Sequence, residues 1–178
     1  MRKLKVTELK RIDVRQFKAS DKTPLTVVLD DVRSMYNVGS VFRTADSFRL
    51  EKIMLCGITA CPPHPEIHKT ALGAELSMEW KKCENTIEAV NKLHEEGYEV
   101  YALEQVEHSL PLQNFKVEHG KKYALILGNE VKGVSQEAVN ICDGAIEIPQ
   151  FGTKHSMNVS VSGGIAIWQI ASQLLKLQ

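Results

Sequence analysis

Five mostly apolar runs, each about the length of a strand, alternate with segments whose hydrophobic residues recur at helical spacing. The runs are Leu25–Leu29, Lys52–Cys56, Tyr98–Leu103, Tyr123–Leu127 and Ala145–Ile148. Near-continuous apolar character at this length predicts strands buried on both faces. Met78–Lys82 is a shorter, edge-like candidate. Val38, Val41, Phe42, Ala45 and Phe48 recur at helical spacing, as do Ile87, Val90 and Leu93 and, less regularly, the apolar positions of Gln136–Ile141. This alternation predicts an α/β domain with a mainly parallel sheet and helices on both faces. In such sheets the ligand site lies beyond the carboxyl ends of the strands.

The chain has 178 residues, 43% hydrophobic and 25% charged, as expected of one globular domain with a substantial core. No apolar stretch is long enough to cross a bilayer, and Met1-Arg2-Lys3-Leu4-Lys5 lacks the apolar core of a signal peptide. The expectation is a cytoplasmic protein without a membrane partner, its four cysteines reduced. Cys56, Cys61, His64 and His68 are close enough in sequence to suggest zinc. Pro62, Pro63 and Pro65 stiffen that segment, however, and Cys56 ends an apolar run, so no metal site is expected.

The charges sum to zero, but unevenly. Residues 1–24 hold eight Lys/Arg and three Asp/Glu, a local net of +5, which leaves −5 on the rest. Asp21-Lys22-Thr23-Pro24 marks the boundary between this basic arm, residues 1–24, and a domain over 25–178. The arm reads equally as a phosphate-binding footprint and as an amphipathic helix with Leu4, Leu9, Ile12 and Phe17 facing inward.

Three polar clusters follow apolar runs. In Asn37–Ala45, NVGSVFRTA, Asn37 is placed to cap a helix, and Arg43 is placed to reach back over Gly39, whose missing side chain clears its way. In Leu127–Gly133, LGNEVKG, Gly128 admits a ligand to the backbone, Glu130 puts a carboxylate at the mouth of the sheet, and Gly133 suits a left-handed turn. In Ile148–Gly164, IPQFGTKHSMNVSVSGG, Ser156 or Asn158 can cap the last helix. One cap needs one such residue, so capping leaves most of this polar cluster unexplained.

Taken together, the clusters resemble the SpoU/TrmH family of RNA ribose 2′-O-methyltransferases, within the SPOUT superfamily. Asn37, Gly39, Arg43 and Ala45 match its first motif, and Gly128, Glu130 and Gly133 its second. Ile148, Pro149, Gly152, Ser156, Asn158, Val159 and Ser160 match its third. The likeness runs from about Pro24 to Leu177. It implies a C-terminal trefoil knot, a homodimer with the site at the subunit interface, and S-adenosyl-L-methionine as cofactor. Leu103, Glu104, Gly128, Ile148, Ser156 and Met157 are the implied cofactor contacts. The absence of a glycine-rich phosphate loop suits a cofactor that carries no phosphate.

The wide apolar coverage of the last helix, Val161, Ile165, Ala166, Ile167, Trp168, Ile170, Leu174 and Leu175, independently predicts burial in the core or against a partner. By the resemblance, Arg43 handles the proton of a ribose 2′-OH. A guanidinium holds its own proton tightly, so the alternative is that Arg43 positions a phosphate and stabilises the developing alkoxide. Asn37, Glu130, Ser156 and Asn158 would orient the reacting groups. The resemblance implies an RNA substrate, with tRNA favoured over rRNA because of the basic arm. The alternatives are a non-catalytic RNA-binding or assembly module of the same fold, and an unrelated nucleotide-binding enzyme. Lys154, His155 and Lys69 are candidate RNA contacts.

Overall fold

The computed structural model describes residues 1–176. The last two residues of the expected domain, including the end of the family likeness at Leu177, lie outside the described residues. Seven strands form one sheet: β1 Thr23–Asp30, β2 Leu50–Cys56, β3 Trp80–Cys83, β4 Tyr98–Leu103, β5 Leu110–Pro111, β6 Lys122–Leu127 and β7 Gly144–Glu147. Their order is β3-β2-β1-β6-β4-β7-β5, and every pairing is parallel. The expected α/β class with a parallel sheet is therefore what forms. The edge candidate Met78–Lys82 starts at Trp80 instead, and Leu110–Pro111 is too short to leave any periodic signal.

Helices cover both faces: α1 Val14–Ala19, α2 Met35–Ser47, α3 Pro65–Ala71, α4 Ala74–Ser77, α5 Thr86–Glu95, α6 Gln136–Val139 and α7 Val159–Leu174. Alternate strand residues point to opposite sides. Leu25, Val27 and Leu29 of β1 join Leu125 and Leu127 of β6 under α2, α3 and α7. Val28, Ala124 and Ile126 face the other way, under α5 and α6. Phe42 on α2 is fully buried, and its truncation to alanine would cost about 3–5 kcal/mol.

The arm departs from its expected form. Asp13 caps a six-residue α1, and of the four apolar residues expected to face inward only Phe17 is buried. Leu4, Leu9 and Ile12 are exposed, and none of them joins the core. Phe17 belongs to the same cluster as the strands, so it pins the arm to the domain where β1 begins.

Candidate active site

The carboxyl ends of β4, β6 and β7 open onto a cleft of about 280 Å³. β6 lies between β1 and β4 in the sheet but follows both in the chain, so segments distant in sequence meet there. Glu130, just beyond β6, is the centre of the arrangement. Its Oε2 accepts from the Arg33 N–H at 2.9 Å, and its Oε1 from the Ser34 N–H and Asn37 Nδ2, both at 2.9 Å. Asn37 Oδ1 in turn accepts from Asn158 Nδ2 at 3.1 Å. One carboxylate and two amides thus bracket all three polar clusters. Burial tends to raise the Glu130 pKa, but the N–H of Arg33, the Asn37 amide and the N–H of Ser34 outweigh it and hold it below the ordinary glutamate value. Its place at the start of α2 also sets a negative charge against the positive end of that helix.

This network corrects two sequence expectations. The cap of α2 is Ser34, whose hydroxyl accepts from the Asn37 N–H at 3.3 Å. Asn37 is the third residue of the helix, so its side chain is free to bridge Glu130 and Asn158. Gly39 does not clear a path for Arg43. A Cβ there would lie 2.2 Å from Thr70 Oγ1 and 2.3 Å from the Ile67 carbonyl, so the glycine admits α3.

The second cluster forms a tight loop. Asn129 and Gly133 exchange backbone hydrogen bonds of 3.0 and 2.9 Å, and Gly133 takes the left-handed conformation at φ +69°. Gly128 lines the cleft, but what excludes a side chain there is the loop's own return, since a Cβ would meet Gly133 C and Val134 N at 2.2 Å. Asn129 went unnoticed in the sequence. Its Oδ1 accepts from the Val131 and Lys132 N–H groups at 2.9 and 3.1 Å, and its Nδ2 donates to the Asp31 carbonyl at 2.7 Å. An Asn directly after a glycine is an ordinary turn signal and could have marked it. Glu104 Oε2 accepts from the Val134 N–H at 2.9 Å, and Asp30, also overlooked, accepts from the Ser135 N–H at 2.8 Å.

The third cluster crosses the cleft mouth before entering α7. Of the two capping candidates it is Asn158 that acts, accepting from the Ser160 and Val161 N–H groups at 2.9 and 3.3 Å. Gln105 Nε2 donates to the His155 carbonyl at 2.9 Å, which ties this loop to the end of β4. Gly163 is needed for packing, as a Cβ would lie 2.6 Å from Leu127 Cδ1, whereas Gly164 has open space.

Leu103, Glu104, Gly128, Ile148, Ser156 and Met157 all line the cleft, as do Glu130, Gln105, Lys132 and His155. Asn37 and Asn158 do not line it; they are bonded to each other, and Asn37 to Glu130. Arg43 lies outside: it is exposed on the outer face of α2 and does not line the cleft of its own subunit. The lining suits a cationic, phosphate-free cofactor. Leu103, Ile148 and Met157 offer apolar walls to a planar base, and Glu104, Glu130 and Glu147 set negative charge against a sulfonium or ammonium group. Among the described residues no cluster of three or more His, Cys, Asp or Glu side chains is arranged to hold a metal, and no helix is long and apolar enough to cross a membrane. Cys56 is buried, and burial pushes its thiol far up, out of the range where a thiolate could act.

Comparison with known proteins adds four findings. A family model described as the SpoU rRNA methylase family matches residues 24–168. The chain is 29% identical over 170 residues to the tRNA (guanosine(18)-2′-O)-methyltransferase of Thermus thermophilus, covering 96% of this chain and 86% of that protein. It is 27% identical over 169 residues to the 23S rRNA (guanosine-2′-O-)-methyltransferase RlmB of Vibrio parahaemolyticus, covering 94% and 67%. Among solved structures, the AdoMet-bound rRNA methyltransferase of Sinorhizobium meliloti superposes with a TM-score of 0.79 at 25% identity, covering 89% of this chain and 60% of that one.

Proposed function

Because the chain belongs to the SpoU rRNA methylase family, we propose that it transfers a methyl group from S-adenosyl-L-methionine to a ribose 2′-hydroxyl of RNA, with tRNA as the substrate. The observation that carries this reading is the bracket of Glu130, Asn37 and Asn158 beside an acidic-walled cleft at the strand ends. The basic arm, residues 1–24, exposed over residues 1–16, is our reason for choosing tRNA over rRNA, together with the alignment to a tRNA-modifying relative along most of that relative's length.

In this reading Leu103, Gly128, Ile148 and Met157 enclose the adenosine end of the cofactor, and Glu104 and Ser156 meet its polar groups. The cofactor supplies a methyl group on a positively charged sulfur, which leaves as a neutral thioether when the hydroxyl oxygen attacks in line. The protein's part is alignment and charge. Asn158 and Ser156 orient the ribose, while Glu130 and Asn37 hold the start of α2 in register with the cofactor loop. Arg43 binds the adjacent RNA phosphate and stabilises the negative charge that develops on the 2′-oxygen as its proton passes to water.

Arg43 lies outside its own cleft, and α7, which packs against α2, exposes Val161, Ile165 and Trp168 at helical spacing, with Trp168 packed against Phe48 at 5.5 Å. A second copy covering this stripe would lie against the same pair of helices that carries Arg43. A homodimer that completes each site across its interface therefore belongs to the proposal, as does the trefoil knot that the resemblance implies for the C-terminal segment. Labelled S-adenosylmethionine incubated with total RNA, followed by mapping of ribose 2′-O-methyl positions, tests the reading. Label at a ribose position of tRNA supports it; label confined to rRNA moves the substrate, and none at all leaves an RNA-binding module.

A further inference from the structure

The docking of α3 on α2 is tighter than the cleft requires. Ile67 and Thr70 press into the space left open at Gly39, and Thr70 Oγ1 donates to the Tyr36 carbonyl at 2.9 Å. At its own start α3 is set by Pro65 and by His64, whose ring nitrogen accepts from the Glu66 N–H at 3.2 Å. At its far end Glu75 holds His68 at 2.5 Å. The result of this mounting is a specific pair. Lys69 Nζ stands 6.0 Å from the centre of the Tyr36 ring, within reach of a cation–π contact.

Tyr36 is also fixed from the other side. It follows the Ser34 cap and precedes Asn37, both hydrogen-bonded to Glu130. Tyr36 itself is 45% exposed. Lys69 approaches the ring, and much of the ring stays open to solvent. Along α2, Ser40 and Arg43 follow Tyr36 at intervals of four and three residues, so Arg43 stands on the same outward face about 10 Å further on. An aromatic plane, a cation beside it and a second cation along the same face match the needs of a nucleotide held by stacking and by phosphate contact.

We propose that Tyr36 and Lys69 form a stacking platform for a base of the RNA substrate next to the methylated ribose, with Lys69 taking the phosphate of that nucleotide. The platform rests on the methyltransferase reading for its purpose, but its binding chemistry can be tested separately. The probe is a single-stranded RNA dodecamer carrying 2-aminopurine, whose fluorescence is quenched when the base stacks. Wild type and Tyr36→Phe should both quench it. Tyr36→Ala should lose the quenching and bind about tenfold more weakly, with its thermal midpoint unchanged. Lys69→Gln should keep the quenching while the slope of log affinity against log salt falls by about one.

Equal quenching and affinity in Tyr36→Ala would overturn the platform. So would a Tyr36→Ala protein whose only change is a weaker self-association, since the ring would then serve a protein contact. If wild type transfers no methyl group to any RNA but Tyr36-dependent quenching persists, the activity reading fails and the platform stands. If methyl transfer proceeds and quenching ignores Tyr36, the platform alone fails.

Discussion

Glu130→Gln exchanges one atom at the centre of the site, and its cost can be worked from the native contacts. Oε1 serves two donors, the Ser34 N–H and Asn37 Nδ2, and Oε2 serves the Arg33 N–H. A glutamine keeps its oxygen for the first two and turns an NH2 toward the third, which loses its acceptor. The two surviving bonds drop from charge-assisted to neutral strength. Bonds to a charged group contribute about 1.5–3 kcal/mol each and neutral ones about 0.5–1.5. Glu130 is only half-buried, so water recovers part of the loss, and a destabilisation of about 2–3 kcal/mol at neutral pH is expected. For a chain of this size that lowers Tm by roughly 4–12 °C.

The pH dependence sharpens the test. The Glu130 carboxyl is held below the ordinary glutamate value in the folded state. Its charged form therefore stabilises the fold fully above the unfolded-state value, and this contribution is lost as the pH falls through the folded-state value. Urea unfolding of wild type and variant, repeated between about pH 7 and about pH 3.5, should show the gap in stability closing on the acid side. A gap of constant size would mean that the charge contributes nothing. No gap at neutral pH would remove the bracket as an organising contact.

Arg43→Ala should abolish methyl transfer and leave S-adenosylmethionine affinity, read by calorimetry, largely intact; near-normal turnover would end the proposed role. Gly128→Ala forces a Cβ to within 2.2 Å of backbone atoms of its own loop, so it should lose about 2–4 kcal/mol in chemical denaturation and weaken cofactor binding, and wild-type values in both would contradict the loop geometry. Replacing Lys3, Lys5, Lys10 and Arg11 with Gln leaves Phe17 in place and should reduce the salt slope of RNA binding by up to about 3, whereas an unchanged slope would leave the arm no phosphate contacts. Trp168→Glu should shift the mass in sedimentation from dimer to monomer, and a wild type already monomeric would refute the homodimer.

How far the sequence could be read depended on whether a feature is local. Burial of whole strands on both faces is local and periodic, so the α/β class and five of the seven strands could be read from apolar runs alone. The two-residue β5 was too short to have a period. The arm misled for a related reason: its apolar spacing is real, but periodicity reports only which residues share a face, not whether anything lies opposite. Phe17 meets the core, while Leu4, Leu9 and Ile12 stay exposed.

The site shows the same division. Its residue types were visible because polar side chains clustered after apolar runs, yet their partners were not. Asn37 looked like a helix cap from its neighbours alone; its bonds go to Glu130, 93 residues away, and to Asn158, 121 residues away. The glycines repeat the lesson in reverse. Gly39, Gly128 and Gly163 each leave a space, and the sequence cannot say what enters it: α3, the returning loop and Leu127 respectively. Each of these spaces is filled by an element that carries or supports a cleft residue or the Tyr36–Lys69 pair. The close packing and the polar bracket therefore act on the same few segments. Displacing any one, whether by a Cβ or by the loss of the Glu130 charge, should disturb the loop from Gly128 to Gly133 and the outward face of α2 together.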